Sequence, residues 1–318
     1  MMRWLFVLAL CATAGAPVPV VQTKAEPILV ESVAFDARGR MLVSAIHAAG
    51  VYRIGRDGRL VRWSQNTAGQ VKNAAIFGIV ADPPRNALWA ATSGAIYGGS
   101  LTIGPALLRY DLRSGRLHQI VGGGPGKSNF GDIALGPDGT VFVSDSGVGA
   151  VFKLPPGAAA LEPVIELDGA RDSPQGLVVS DDGRTLVFSN YGDGLHRVDL
   201  ATGAHTRVFD ADGRGPRGID GVARRGNDLI LVHNATQPAR VLRVTLNADW
   251  TAIVASETLA EGAPMEEPTG GVVRGDDFIF VSRSQWTDFD KDAKPKADLG
   301  PAIISRLRLS PPETRSGG

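Results

Sequence analysis

Short apolar runs recur along this chain, each followed by a turn containing Asp-Gly or a near equivalent, and then by a second apolar run that ends on Ser or another polar residue. Six copies of this pattern stand out, at 31–44, 77–90, 131–144, 175–189, 220–233 and 270–283, with starts 46, 54, 44, 45 and 50 positions apart. A third strand follows most copies, such as 50–54 or 195–198, and a fourth usually follows that, such as 60–63 or 206–209. No stretch carries a long apolar period of 3.6, so the elements are strands. Four short strands repeated every 40 to 50 residues predict one blade per repeat, and six repeats predict an all-β, six-bladed β-propeller spanning 15–309. The last blade lacks a fourth strand on its C-terminal side. Residues 18–23 precede the first copy and could supply it, closing the ring by pairing the two ends of the chain.

Composition agrees with a chain of short strands. The 40 glycines and 20 prolines among 318 residues supply many tight turns. Lys plus Arg equals Asp plus Glu at 33 each, so no basic surface for nucleic acid or an anionic membrane is expected. The N-terminus reads as an export signal over 1–14. Arg3 supplies a positive start, 4–12 is apolar and too short to span a bilayer, and Ala12-Thr13-Ala14 has the small-x-small form of a cleavage site. Cleavage after Ala14 removes Cys11, the single cysteine, which excludes thiol chemistry and a thiolate-ligated metal in the mature chain. A periplasmic or secreted monomer, not inserted in the membrane, with a polar, disordered tail at 310–318, is the expectation.

Two motifs fail on inspection. Gly122–Ser128 reads GGGPGKS, but Val121 stands where a phosphate loop needs its first Gly, and a strand follows instead of a helix. Asp288, Asp290 and Asp292 alternate like a calcium loop, yet Ala293 and Leu299 occupy its Gly and Glu positions.

The more informative pattern lies in the register of the repeat. Innermost strands line the axis of a propeller, so their first residues face one another around one mouth. That column holds Glu31, Phe77, Gly131, Gln175, Asp220 and Gly270, with Asp132 one step past it. Carboxylates brought together repel unless a proton or cation intervenes, and hard oxygen donors, an amide carbonyl included, suit calcium and tolerate magnesium or manganese. Thirteen residues on, where the second strand returns to the same mouth, stand Ser44, Ala90, Ser144, His233 and Arg283, with Ser189 and Asn190 filling the slot in the fourth blade. His233 could serve as general base, and Arg283 could hold a substrate carboxylate or an oxyanion.

These residues resemble the regucalcin/gluconolactonase-like propellers. Glu31-Ser32-Val33 stands where that family opens its first inner strand with Glu-Gly-Pro, Pro174-Gln175-Gly176 where it has Pro-Asn-Gly, and Asp220-Gly221 where it has Asp-Gly. The resemblance implies that Glu31 and Asp220 ligate one divalent cation, over which a lactone or ester is hydrolysed with Asp220 as proton acceptor. Gln175 replaces the family's Asn. Gly131-Asp132-Ile133 replaces its Asn-Asp-Gly, so the substrate-contacting Asn is missing. The run 284–290 is similar to a segment of exported bacterial members that have no assigned reaction.

The resulting expectation is a divalent-metal-dependent hydrolase acting on a small-molecule lactone or ester. Glu31, Asp132, Gln175 and Asp220 hold the cation (calcium first; magnesium, manganese or zinc as alternatives), and Asp220, His233 and Arg283 are the catalytic candidates. The long interruptions at 94–105 and 284–301 shape the mouth. The alternative is a non-catalytic ligand- or protein-binding propeller of the cell envelope. A sugar-oxidising quinoprotein would need a basic cluster for its anionic quinone.

Overall fold

Strand β1 (Val18–Gln22) pairs antiparallel with β24 (Ile303–Arg308), so the last sheet is completed by the beginning of the chain. The computed structural model describes residues 15–65, 75–93, 105–122 and 127–309; the expected signal segment 1–14, all but the last residue of the interruption at 94–105, the centre of the GGGPGKS run and the tail at 310–318 lie outside them. Blade 1 runs from its inner strand outward as β2 (Val30–Phe35), β3 (Met41–Ala45), β4 (Gly50–Ile54) and β5 (Leu60–Arg62). Blade 2 follows as β6 (Ile76–Asp82), β7 (Ala87–Thr92), β8 (Ala106–Asp111) and β9 (Leu117–Gly122). Blade 3 is β10 (Phe130–Leu135), β11 (Val141–Asp145), β12 (Ala150–Leu154) and β13 (Glu162–Glu166). Blade 4 is β14 (Pro174–Val179), β15 (Thr185–Asn190), β16 (Gly194–Asp199) and β17 (His205–Arg207). Blade 5 is β18 (Ile219–Arg225), β19 (Asp228–His233), β20 (Arg240–Leu246) and β21 (Ile253–Glu261). Blade 6 is β22 (Gly271–Arg274), β23 (Asp277–Arg283), β24 and β1. The protein is a six-bladed β-propeller, and every expected repeat falls on the first two strands of a blade.

The local chemistry explains the hairpins. In Asp36–Arg40 the Asp36 side chain accepts from the amides of Arg38 and Arg40, and Gly39 takes φ +72°, a conformation that costs a residue with Cβ. Middle strands are buried on both faces because each blade packs against two neighbours. All six residues of β15 are buried, the polar Thr185, Ser189 and Asn190 included. Between blades 4 and 5, Val178 and Val187 meet Leu229, Leu231 and Val244. Between blades 3 and 4, Phe142 and Val151 meet Leu177 and Phe188. Each such side chain contributes roughly 1.5–3 kcal/mol on burial.

One irregularity matters for function. In five blades the pairing of the inner strand with the second strand slips by one residue: Val30 pairs with Ala45 but Val33 with Val43, and the same shift recurs at Ile76/Ile79, Phe130/Ile133, Pro174/Leu177 and Ile219/Val222. Each slip is a β-bulge at the column position, and a bulge re-aims the side chain it frees. Here it turns column residues toward the axis.

Candidate functional site

Around one mouth of the channel the bulges open a cavity of about 410 Å³. Glu31, Phe77, Gly131, Gln175 and Asp220 of the column line it, together with Asp132. Gly270, the sixth member, instead lines a separate space of about 600 Å³ farther along the axis, and Asp132 borders both. The inner strands close tightly at this level. A Cβ on Gly176 would lie 2.3 Å from the Val222 nitrogen, and one on Gly221 would lie 2.7 Å from the Thr269 carbonyl oxygen. Glycine is therefore required at 176 and 221, after the column residues of blades 4 and 5, for neighbouring inner strands to approach.

Among the described residues, seven further polar or aromatic groups line it that the repeat did not single out, including Ser173, Tyr191, Glu267 and Trp286. Asn129, Ser146 and Asn234 complete the lining. Ser146, Tyr191 and Asn234 share one structural position, just past the second strand of blades 3, 4 and 5. Trp286 comes from the insertion at 284–301, on a 3-10 turn (Trp286–Asp288) that opens with Gln285 at φ +83°. Gln285 is buried, and its amide holds the turn in place. Its Oε1 accepts from the amides of Ile28 and Leu29, and its Nε2 donates to the carbonyls of Glu26 and Gly300. Thus the insertion does shape this mouth, through a single indole, while the interruption at 94–105 lies, but for its last residue, outside the described chain.

The second expected ring is corrected. Ser44 and Ser144 do not face the cavity. Their hydroxyls accept from the bulge amides of Ser32 and Asp132, at 2.9 and 3.0 Å. Ser189 donates to the Ile219 carbonyl of the next blade. His233 lies one residue beyond the equivalent slot, because blade 5 turns tightly from Arg225 to Asp228. It pairs with Ile219 and does not line the cavity. Burial and the positive charge of Arg240 hold its pKa down. Arg283 is also absent from the lining, since its guanidinium is fully engaged. It donates to both oxygens of Asp288 at 2.9 and 2.8 Å, to Glu266 at 3.0 Å and to the Pro301 carbonyl at 2.6 Å. Arg283 braces the insertion and is not presented to a substrate.

Electrostatics single out the cavity. Glu31, Asp132, Asp220 and Glu267 contribute four carboxyl groups, and among the described residues no Lys or Arg lines it. Burial, then the negative charge of Asp220, pushes Glu31 well above the usual carboxylate range, against a lowering hydrogen bond from Trp286. Burial and Asp220 push Asp132 up to about 7. Burial pushes Asp220 up to about 6, opposed by a hydrogen bond from Asn234. Two of these acids are held on one oxygen each. Trp286 Nε1 donates to Glu31 Oε2 at 2.8 Å, and Asn234 Nδ2 donates to Asp220 Oδ2 at 2.6 Å. Gln175 Nε2 donates to Ser173 Oγ at 2.8 Å, which turns the amide so that its carbonyl oxygen is left over. The donor set is hard oxygen, as a calcium-like cation requires. As the side chains stand, however, no three His, Cys, Asp or Glu residues among those described are disposed to hold a metal ion. Ligation would need Asp132, which makes no such bond among the described residues, to turn toward the carboxylate oxygens that Glu31 and Asp220 keep outside theirs.

No protein-family model and no curated sequence matches the chain. Its shape is shared with solved propellers of low identity. A gluconolactonase from Xanthomonas campestris is 16% identical, covers 94% of this chain and 99% of its own, and superposes with a TM-score of 0.61. An aldose sugar dehydrogenase from Streptomyces coelicolor, solved with PQQ bound, is 17% identical over 93% and 98% of the two chains, also with a TM-score of 0.61. Virginiamycin B lyase from Staphylococcus aureus is 15% identical over 88% and 80%, with a TM-score of 0.56. Those likenesses show the fold alone. The fold leaves the reaction to the site.

Proposed function

We propose that this chain is a divalent-cation-dependent hydrolase of a lactone or related ester, acting in the periplasm or outside the cell. The observation that carries this reading is the meeting of Glu31, Asp132, Gln175 and Asp220 in one cavity that, among the described residues, no cationic side chain lines. Unneutralised carboxylates at this spacing raise one another's pKa, and a cation relieves that repulsion while their protons leave. A bound calcium-like ion would supply carbonyl polarisation and water activation. Glu31 and Asp220 would hold it, with the carbonyl oxygen of Gln175 and with Asp132. Asp220, fixed through Oδ2, keeps Oδ1 for a proton. Phe77, Tyr191 and Trp286 offer apolar faces for the body of the substrate.

An anionic quinone does not fit this site, because four carboxyl groups and, among the described residues, no Lys or Arg would face it. The second reading is a non-catalytic binding propeller. It is favoured by the absence of a ready-made trio of ligating acids among the described residues. Metal content of the purified protein, wild type beside Glu31→Ala/Asp220→Ala, separates the two. About one divalent cation per chain, lost in the variant together with activity in a lactone and ester screen, supports the hydrolase. No cation in either, even after soaking in calcium, leaves the binding propeller.

A further inference from the structure

Asp220 is held by a chain of hydrogen bonds that crosses three blades. Tyr191 Oη, after the second strand of blade 4, donates to Asn234 Oδ1 at 2.9 Å. Asn234 Nδ2, in blade 5, donates to Asp220 Oδ2 at 2.6 Å and to the Pro268 carbonyl, on the approach to blade 6, at 3.1 Å. Every polar atom of the Asn234 side chain is thus engaged, and the direction of the chain is determined. A carboxylate and a carbonyl can only accept, so the nitrogen must face Asp220 and Pro268, and the oxygen must face Tyr191. Burial and the negative charge of Asp220 raise the pKa of the phenol, so it keeps the proton that it donates to Asn234 Oδ1. One residue past Pro268, Thr269 Oγ1 donates to the Glu31 carbonyl at 2.7 Å, and the Gly270 amide donates to the same oxygen at 3.0 Å. The network therefore links the Asp220 carboxylate to the backbone of Glu31. Asp132, by contrast, receives no side-chain hydrogen bond on its carboxylate among the described residues.

We infer that Tyr191 and Asn234 are positioning residues which lock Asp220 in one orientation, making it the fixed anionic ligand of the cavity, while Asp132 is the carboxylate left free to turn. This rests on the cation reading above for its consequence, though not for its geometry. Without Tyr191 the amide of Asn234 loses the anchor on its oxygen and holds the carboxylate less firmly.

Two measurements test it on the full mature chain. The first is NMR of protein labelled with ¹⁵N on asparagine. The Asn234 side-chain amide pair is expected to be shifted and slow to exchange in wild type, and to lose both properties in Tyr191→Phe, whose ring keeps the packing. An unchanged amide pair overturns the inference. The second is affinity for terbium(III) alone, read by luminescence sensitised through Trp286. Tyr191→Phe is expected to weaken it about five-fold and Asn234→Leu about ten-fold, with thermal midpoints moved little. The double variant is expected to lose no more than Asn234→Leu alone, because Tyr191 acts through Asn234. Additive losses, or a neutral Tyr191→Phe, overturn the proposal. Wild-type protein that binds no terbium but keeps the protected amide removes the cation reading and leaves the positioning chain standing.

Discussion

The indole Nε1 of Trp286 donates to Oε2 of Glu31 at 2.8 Å, although the two residues are 255 positions apart in the chain. Glu31 opens the first blade and Trp286 sits in the insertion of the last, so the contact spans the seam of the ring. It places the one aromatic N–H of the cavity on the acid with the strongest reason to be neutralised. Cation binding at Glu31 therefore disturbs the environment of a fluorophore. Adding calcium to chelator-treated protein is expected to shift or quench tryptophan emission, and Trp286→Phe is expected to remove that response. Emission that ignores calcium in wild type, while metal analysis shows the ion bound, would place the cation away from Glu31.

The acidic cavity sets a pH dependence whose sign is fixed. Glu31, Asp132 and Asp220 keep their protons to higher pH when folded than when unfolded. Above about pH 4 the folded chain thus binds more protons than the unfolded chain, and stability falls as the pH rises. This share of stability is complete below about pH 4 and is lost as the pH climbs through about 6 for Asp220 and about 7 for Asp132. Between about pH 5 and about pH 8, chelator-treated wild type is expected to lose on the order of 1–3 kcal/mol more stability than Asp132→Asn, read from the thermal midpoints of the two. Calcium at the higher pH is expected to restore the midpoint. A slope identical in Asp132→Asn and wild type would contradict the raised pKa of this residue.

Arg283 makes a second, structural prediction. Its guanidinium and the Asp288 carboxylate are mostly buried, with side chains 14% and 12% exposed, and they pair at 2.8 Å. Removing one member strands the other and frees the insertion that carries Trp286. Arg283→Met is expected to cost about 3–5 kcal/mol, and Arg283→Lys most of that, because an ammonium cannot reproduce the fork that reaches Asp288, Glu266 and Pro301 together. Limited proteolysis is expected to cut within 284–301 in both. Wild-type resistance to protease in Arg283→Met would argue against the brace.

The ring seam is open to a direct test. Val18 pairs with Arg306 and Gln22 with Ile303, so β1 covers the outer edge of β24. A chain shortened to begin at Thr23 exposes that edge and loses the link between the ends. It is expected to unfold at a lower denaturant midpoint and to self-associate in analytical ultracentrifugation. A monomer of unchanged stability would show that closure contributes little.

Fold and site were legible to different depths, and the reason is the range of the interactions that decide each. Strand alternation and Asp-Gly turns are local, and a propeller repeats them at one period, so the sequence by itself determined six blades, the inner strands and the N-terminal closing strand. Repetition also placed Glu31, Gln175 and Asp220 in one column, because equivalent positions of a rotational repeat face one axis. Tertiary structure alone decided what surrounds them. The bulges turn Ser44 and Ser144 onto backbone amides. The short blade 5 hairpin moves His233 out of register, so Asn234 reaches the acid. Arg283 is consumed by Asp288, and Trp286 is delivered from an insertion that obeys no repeat. None of these has a local signature, since a one-residue slip costs little within a strand but exchanges the side chains that point into the cavity.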